Sequence, residues 1–206
     1  MPRSRATYHH PDLPAALAEA ALALVAERGA RGFSLAEAAR RAGVSGSAPY
    51  RHYADRDGLL AVLAVAAYGR LERALRVAAA HARTPATRLA AMAAAYVRFA
   101  AERRAEFSIL FDAGLNKAVY PELAAAGERT NEVFLAQVAQ ACAGDMRRAA
   151  TLAVGLRAGA HGFATLLLDG SLEAAGLRSA DVPAAAARAA RALVAGMLRD
   201  EKPKPS

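Results

Sequence analysis

The chain has 206 residues, with 27 Lys/Arg against 19 Asp/Glu, a formal charge of +8 and a pI near 10.2. That length allows one sizeable core, or a small module joined to a larger one. Hydrophobic residues make up 55% of it with alanine dominant, Trp is absent, and no stretch alternates apolar and polar residues as a half-buried strand would.

The composition therefore predicts an all-α protein, since alanine loses no side-chain entropy in a helix. The charge suits an anionic partner but is spread along the chain: residues 1–57 hold 8 Lys/Arg and 6 Asp/Glu, the rest 19 and 13. Arg28–Arg56 is richer, with Arg28, Arg31, Arg40, Arg41, Arg51 and Arg56 against Glu37 and Asp55. One cysteine, Cys142, excludes an internal disulfide framework and fits a reducing compartment. Met1–His10 is polar and basic, unlike a signal peptide. The most apolar long stretch, Ala149–Leu168, carries Arg157 and His161 near its middle, which argues against a membrane span. The expected location is the cytoplasm.

In chain order, the first predicted helix runs from Asp12 to Arg28, with Leu13, Leu17, Ala20, Ala21 and Leu24 on one face. Gly29 and Gly32 end it. Ser34 stands as N-cap before Leu35, Ala38, Ala39 and Ala42, whose spacing makes a two-turn helix with its arginines outward. Gly43 stops that helix, Val44 is an apolar turn residue, and Ser45 is the expected cap of a third short helix ending near Tyr53. Long helices follow at about 56–81 and 86–104, then a short piece at Glu106–Phe111. Gly114–Tyr120 reads as a loop. Pro121 opens a helix to about Ala143, and two more occupy about 146–168 and 182–199. The tail Glu201–Ser206, with two prolines and two lysines, reads as disordered.

Ser34–Tyr53, SLAEAARRAGVSGSAPYRHY, has the form of a helix-turn-helix. Gly43 permits the reversal, Val44 plugs the angle between the helices, and the first helix braces the second against a major groove. With Ser45 as cap, Pro49 falls in the first turn, where its missing N–H matters little. A helix start there aims free N–H groups and a positive dipole end at phosphate. Gly46, Ser47, Ala48, Tyr50, Arg51 and His52 then face outward: Tyr50 and His52 can bond phosphate or base edges, and Arg51 can read guanine or clamp phosphate. Arg56 suits a further phosphate contact. On the motif alone, the same segment could be a solvated hairpin of a helical bundle with Arg40, Arg41 and Arg51 as surface charge.

The flanking residues decide between the two. Ala26-Glu27-Arg28-Gly29, Gly32-Phe33-Ser34-Leu35, Ala42-Gly43-Val44-Ser45, Tyr50-Arg51-His52-Tyr53 and Asp57-x-Leu59-Leu60 fall at intervals that resemble the DNA-binding domain of tetracycline-repressor (TetR) regulators. The resemblance spans Pro11–Leu71 and implies a three-helix bundle at 11–71, followed by a larger helical effector-binding and dimerisation domain at 72–200. It implies DNA contacts from Ser34, Leu35, Ser45, Gly46, Ser47, Ala48, Tyr50, Arg51, His52 and Arg56. Gly46 stands where the family commonly has a longer polar side chain.

After residue 71 the resemblance weakens. Ala160-His161-Gly162-Phe163 with Asp169-Gly170 looks like a TetR C-terminal subgroup marked by Trp-x-x-x-His-Gly, with Arg157 in the tryptophan position. The implied assembly is a homodimer through the helices at 146–168 and 182–199, reading a palindromic operator in double-stranded DNA. Gly155 and Gly159, with Leu193, Val194, Met197 and Leu198, are candidate interface residues; packing within one subunit is the alternative. A small-molecule effector is implied, and Tyr68, Tyr96, Phe99, Phe107, Phe111, Phe134 and His161 are candidates to line its pocket or to be ordinary core. His9-His10 reads as solvated. No cofactor is expected, and nothing has metal-ligand spacing. The chain has no phosphate-cradling glycine loop, no G-x-S-x-G and no clustered carboxylate or Cys/His pair, so the sequence reads as no enzyme. The expected function is a repressor released from DNA by its effector; a non-catalytic helical adaptor is the alternative.

Overall fold

The structure, a computed structural model, describes residues 13–199. The predicted tail Glu201–Ser206, His9-His10 and Asp12 lie outside the described residues. All regular structure among the described residues is helical. The helices are α1 (Leu13–Arg28), α2 (Leu35–Arg41), α3 (Arg56–Ala80), α4 (Pro85–Glu102), α5 (Arg104–Phe111), α6 (Pro121–Ala141), α7 (Met146–Leu168), α8 (Ser171–Ala174) and α9 (Val182–Arg199). Short 3₁₀ helices occupy Ala48–Arg51 and Ser179–Asp181.

Local chemistry accounts for many of the ends. Pro85 and Pro121 stand at first helical positions, where the missing N–H would lack a partner anyway. Thr84 and Thr87 form a reciprocal cap on α4, and Asp145 accepts from Arg148 N at 3.0 Å to start α7. The helix predicted over 86–104 is interrupted at Arg103, whose φ of −128° and ψ of 50° are not helical, and α5 begins at the next residue.

Two compact units divide the chain. The first runs through Ala66 and takes in Ala105–Leu123; the second comprises Ala67–Arg104 and the chain from Ala124 onward. Residues 105–123, which sequence reasoning placed with the C-terminal region, thus belong to the N-terminal unit. In that unit α1 packs on α2, and Leu17, Leu24, Phe33, Leu35, Leu59 and Leu60 are buried. In the second, α4, α7 and α9 pack mutually. Their core joins Leu89, Val138, Leu152, Leu156 and Val194 to a set of alanines that includes Ala90, Ala94 and Ala190.

Candidate nucleic-acid interface

The seven residues of α2 are too few to be stable as an isolated helix, so their placement depends on contacts at both ends. At the N-terminus, Ser34 Oγ accepts from Glu37 N at 3.3 Å, while Glu37 Oε2 accepts from Ser34 N at 2.8 Å. Glu37 also takes Arg28 at 3.1 Å. Ser34 N and Ser34 Oγ, which donates to Glu37 Oε2 at 3.1 Å, hold the Glu37 carboxyl below its ordinary range, with Arg28 adding to them. At the other end Arg41 grips both carboxylate oxygens of Glu27, at 2.5 and 2.8 Å. Gly43, with φ of 74°, turns the chain in a conformation that disfavours a side chain, and Val44 N returns to Ala39 O at 3.0 Å.

The segment after the turn corrects one expectation. A helix from Ser45 to Tyr53 was expected; a single four-residue 3₁₀ turn is present, and Ser45 does not cap it. Ser45 Oγ instead lies 3.3 Å from Ser47 Oγ, and Ser47 makes no capping bond. Pro49 supplies the reason. Without an N–H it cannot donate to Ser45 O as a helical residue would, and that carbonyl is taken one residue earlier by Ala48 N at 3.0 Å. So short an element brings little dipole to phosphate, and recognition here rests on side chains.

Those side chains point outward. Tyr50 is 56% exposed, and Ser45, Gly46, Ser47, Arg51 and His52 are exposed with it, while Pro49 is fully buried and Tyr53 half-buried. Ala48 is half-buried and Ser34 exposed. Leu35 is 3% exposed, so its side chain belongs to the core; only its backbone at the helix start could meet a ligand. Arg56, expected at a phosphate, has its guanidinium tied to Asp57 Oδ1 at 2.6 and 2.9 Å and to Arg31 O at 3.2 Å, so it braces the start of α3.

Arg31 itself donates to Asp112 O at 2.8 Å and lies against Gly114, where a Cβ would come within 2.8 Å of its guanidinium. Of the six arginines in the basic segment, Arg28, Arg31, Arg41 and Arg56 are therefore engaged within the protein. Arg40 and Arg51 have no side-chain partner among the described residues. Sequence reasoning placed Arg51 among the DNA contacts and gave Arg40 only an outward position on α2; only the partners of the others set it apart.

With this geometry in place the comparisons decide the family. Residues 17–63 match the family described as bacterial regulatory proteins of the tetR family, and residues 89–193 match the tetracyclin repressor-like C-terminal domain. The chain belongs to the TetR family. It is a DNA-binding transcription regulator with an N-terminal helix-turn-helix, and this identity assigns it a non-enzymatic role. Among solved structures it is 32% identical to a protein of unknown function from Rhodococcus sp. RHA1, covering 92% of this chain and 97% of that one with a TM-score of 0.74. A transcriptional regulator from the same organism is 25% identical, covers 94% of this chain and 100% of its own, and has a TM-score of 0.65. The TetR family regulator PfmR from Thermus thermophilus, 21% identical over 89% of this chain and 97% of its own, shares the fold with a TM-score of 0.63. No curated protein matches the chain by sequence.

The aromatic residues expected around a TetR effector do not form one set. Phe107 and Phe111, their ring centroids 4.7 Å apart, belong to the N-terminal unit. Tyr68, Tyr96, Phe99, Phe134 and His161 belong to the second. There Tyr96 Oη and His161 Nδ1 are 2.9 Å apart. Burial, then the neighbouring Tyr68, pushes the Tyr96 phenol up, partly offset by Arg157. Arg157 donates to Asn131 Oδ1 and lies 5.9 Å over the Phe134 ring. Thr130 Oγ1 donates to Ala126 O at 2.9 Å, and one turn beyond Phe134 the buried Gln137 Oε1 accepts no hydrogen bond. Phe99, 4% exposed, lines a groove between α3 and α4.

Proposed function

We propose that the chain is a homodimeric repressor of the cytoplasm that holds a palindromic operator and leaves it when a small-molecule effector binds in the second unit. The observation that carries the DNA half is the exposed row Ser47, Tyr50, Arg51 and His52 beside a doubly anchored α2, with Arg40 and Arg51 unpaired. Arg40 and Arg51 clamp phosphates, while Tyr50 and His52 meet the groove edge. Ser34, Ser45, Gly46 and Ala48 lie close to the backbone, where small groups admit DNA.

The dimer reading rests on α7. It has the length and composition to cross a membrane, yet only 22% of its most apolar stretch is buried. Part of the stripe expected at the interface is used inside the chain: Gly155 admits Leu193, which a Cβ there would meet at 3.0 Å, and Val194 is fully buried. What faces outward is Val154 at 70% exposure, Ala158, Gly159, Gly162 and Leu166 at 42%, a small-residue row in steps of about four. Arg157 and His161, both hydrogen-bonded on that helix, favour a second copy over lipid as its cover. For the effector, we take the hydrogen-bonded Tyr96–His161 pair and the unsatisfied Gln137 Oε1 as polar groups that a ligand in this unit would engage.

Footprinting on the DNA upstream of its own gene tests the reading: a protected palindrome is expected, and uniform protection or none would remove the operator. Arg51→Ala should lower the log–log salt slope of binding by roughly one, because one fewer phosphate is neutralised. Arg56→Ala, whose side chain is already paired, should leave the slope unchanged.

A further inference from the structure

α3 and α4 form a helical hairpin across the four-residue link 81–84, so the end of α3 lies beside the beginning of α4. Between them lies the groove that Phe99 lines, with a volume of about 880 Å³. That is within the range of small-molecule sites, roughly 300–1,000 Å³.

Its two ends differ in chemistry. Away from the link stand Arg70, Arg73, Arg98 and Arg103, with Glu102 the one carboxylate in the lining. Toward the link the lining is Ala74, Val77, Ala78, Ala91 and Ala95, closed by His81, whose Nδ1 lies 2.7 Å from Val77 O. Val77 is 54% exposed, an apolar side chain left in water at the bottom of this end. Arg73 and Arg98 have no side-chain partner among the described residues; Glu72, next to Arg73, is engaged by Arg76 at 2.8 Å. Arg73 and Arg98, left without partners on the groove's lining, are free to give an anion charge-assisted hydrogen bonds.

We propose that this groove binds an amphipathic carboxylate. Arg73 and Arg98 hold the carboxylate, Arg70 and Arg103 add positive field, and the hydrocarbon lies on the alanine floor over Val77. From Ala74 to His81 the helix rises roughly 10 Å, at about 1.5 Å per residue, which sets the length of the tail. The alanines matter because a longer side chain at Ala91 or Ala95 would occupy the path of the tail.

The test is calorimetric titration of the full-length protein with sodium decanoate below its micelle concentration and without DNA, so the outcome is independent of the operator reading. One saturable site per chain is expected. Sodium acetate, a head without a tail, and 1-decanol, a tail without a head, should bind at least tenfold more weakly. The Arg73→Glu/Arg98→Glu double variant changes two exposed residues and should weaken decanoate at least tenfold with an unchanged melting curve. Ala91→Leu, which narrows the floor without touching a charge, should weaken it too and serves if the charge variant melts early. Absence of saturable decanoate binding, equal binding of 1-decanol, or unchanged binding by both variants would overturn the proposal. So would loss of DNA affinity in the charge variant of a protein that ignores decanoate, which would make the groove a nucleic-acid surface.

Discussion

α2 has seven residues and α7 has 23; both bury an apolar face, Leu35, Ala38 and Ala39 in α2, but the short helix depends far more on polar contacts at its ends. α2 is pinned by directional polar contacts at both ends, the Ser34–Glu37 box with Arg28 at one and the Arg41–Glu27 pair at the other. α7 is held by an apolar face, with Leu152, Leu156 and Ala153 set among the alanines of α4 and α9. A hydrogen bond fixes an angle, as a surface that reads DNA requires. An alanine contact fixes a separation but leaves helices freer to slide, which suits the effector response proposed for this unit.

The largest effect that would test this contrast comes from the second core. Leu152 is fully buried, and Leu152→Ala should cost about 2–5 kcal/mol of stability by leaving a cavity, measured by denaturant unfolding. A loss near zero would mean that the alanine layer closes over the gap and that packing there is less specific than described. Next is Val154→Glu on the outward row of α7. The monomer should fold as before, but light scattering at micromolar concentration should show it alone, and operator affinity should fall roughly 100-fold with the loss of two-site binding. A variant that stays dimeric would move the interface elsewhere.

Two smaller effects probe the polar unit. Ser34→Ala removes the cap of α2 and should cost about 1 kcal/mol of stability. If thermal melting is unmoved, the arginine pairs alone position the helix. Tyr50→Phe separates recognition from folding: with Tyr50 56% exposed, loss of the hydroxyl should weaken DNA binding by about 1 kcal/mol while leaving the melting temperature unchanged. Normal binding with earlier melting would assign Tyr50 to the core instead.

Much of the architecture was written locally. Pro85 and Pro121 at helix starts, Gly43 at the turn, and the i, i+3, i+4 apolar spacing of α1 and α2 are local features, because a helical hydrogen bond joins a residue to the fourth one before it and caps close over a similar span. The outward direction of Tyr50 was legible in the same local pattern. What the tertiary structure alone decided are the relations that cross the chain. Arg31 meets Asp112, 81 residues away. Arg56 is absorbed at the start of α3 by Asp57 and the Arg31 carbonyl, and Phe107 and Phe111 join the N-terminal unit. On α7 the sequence left Gly155 and Gly159 open to an interface or to packing within one subunit; it is the approach of Leu193 to Gly155 that turns that face inward and leaves Val154 outside. Periodicity names the faces of a helix, but only the position of a neighbouring helix determines which of them loses its water.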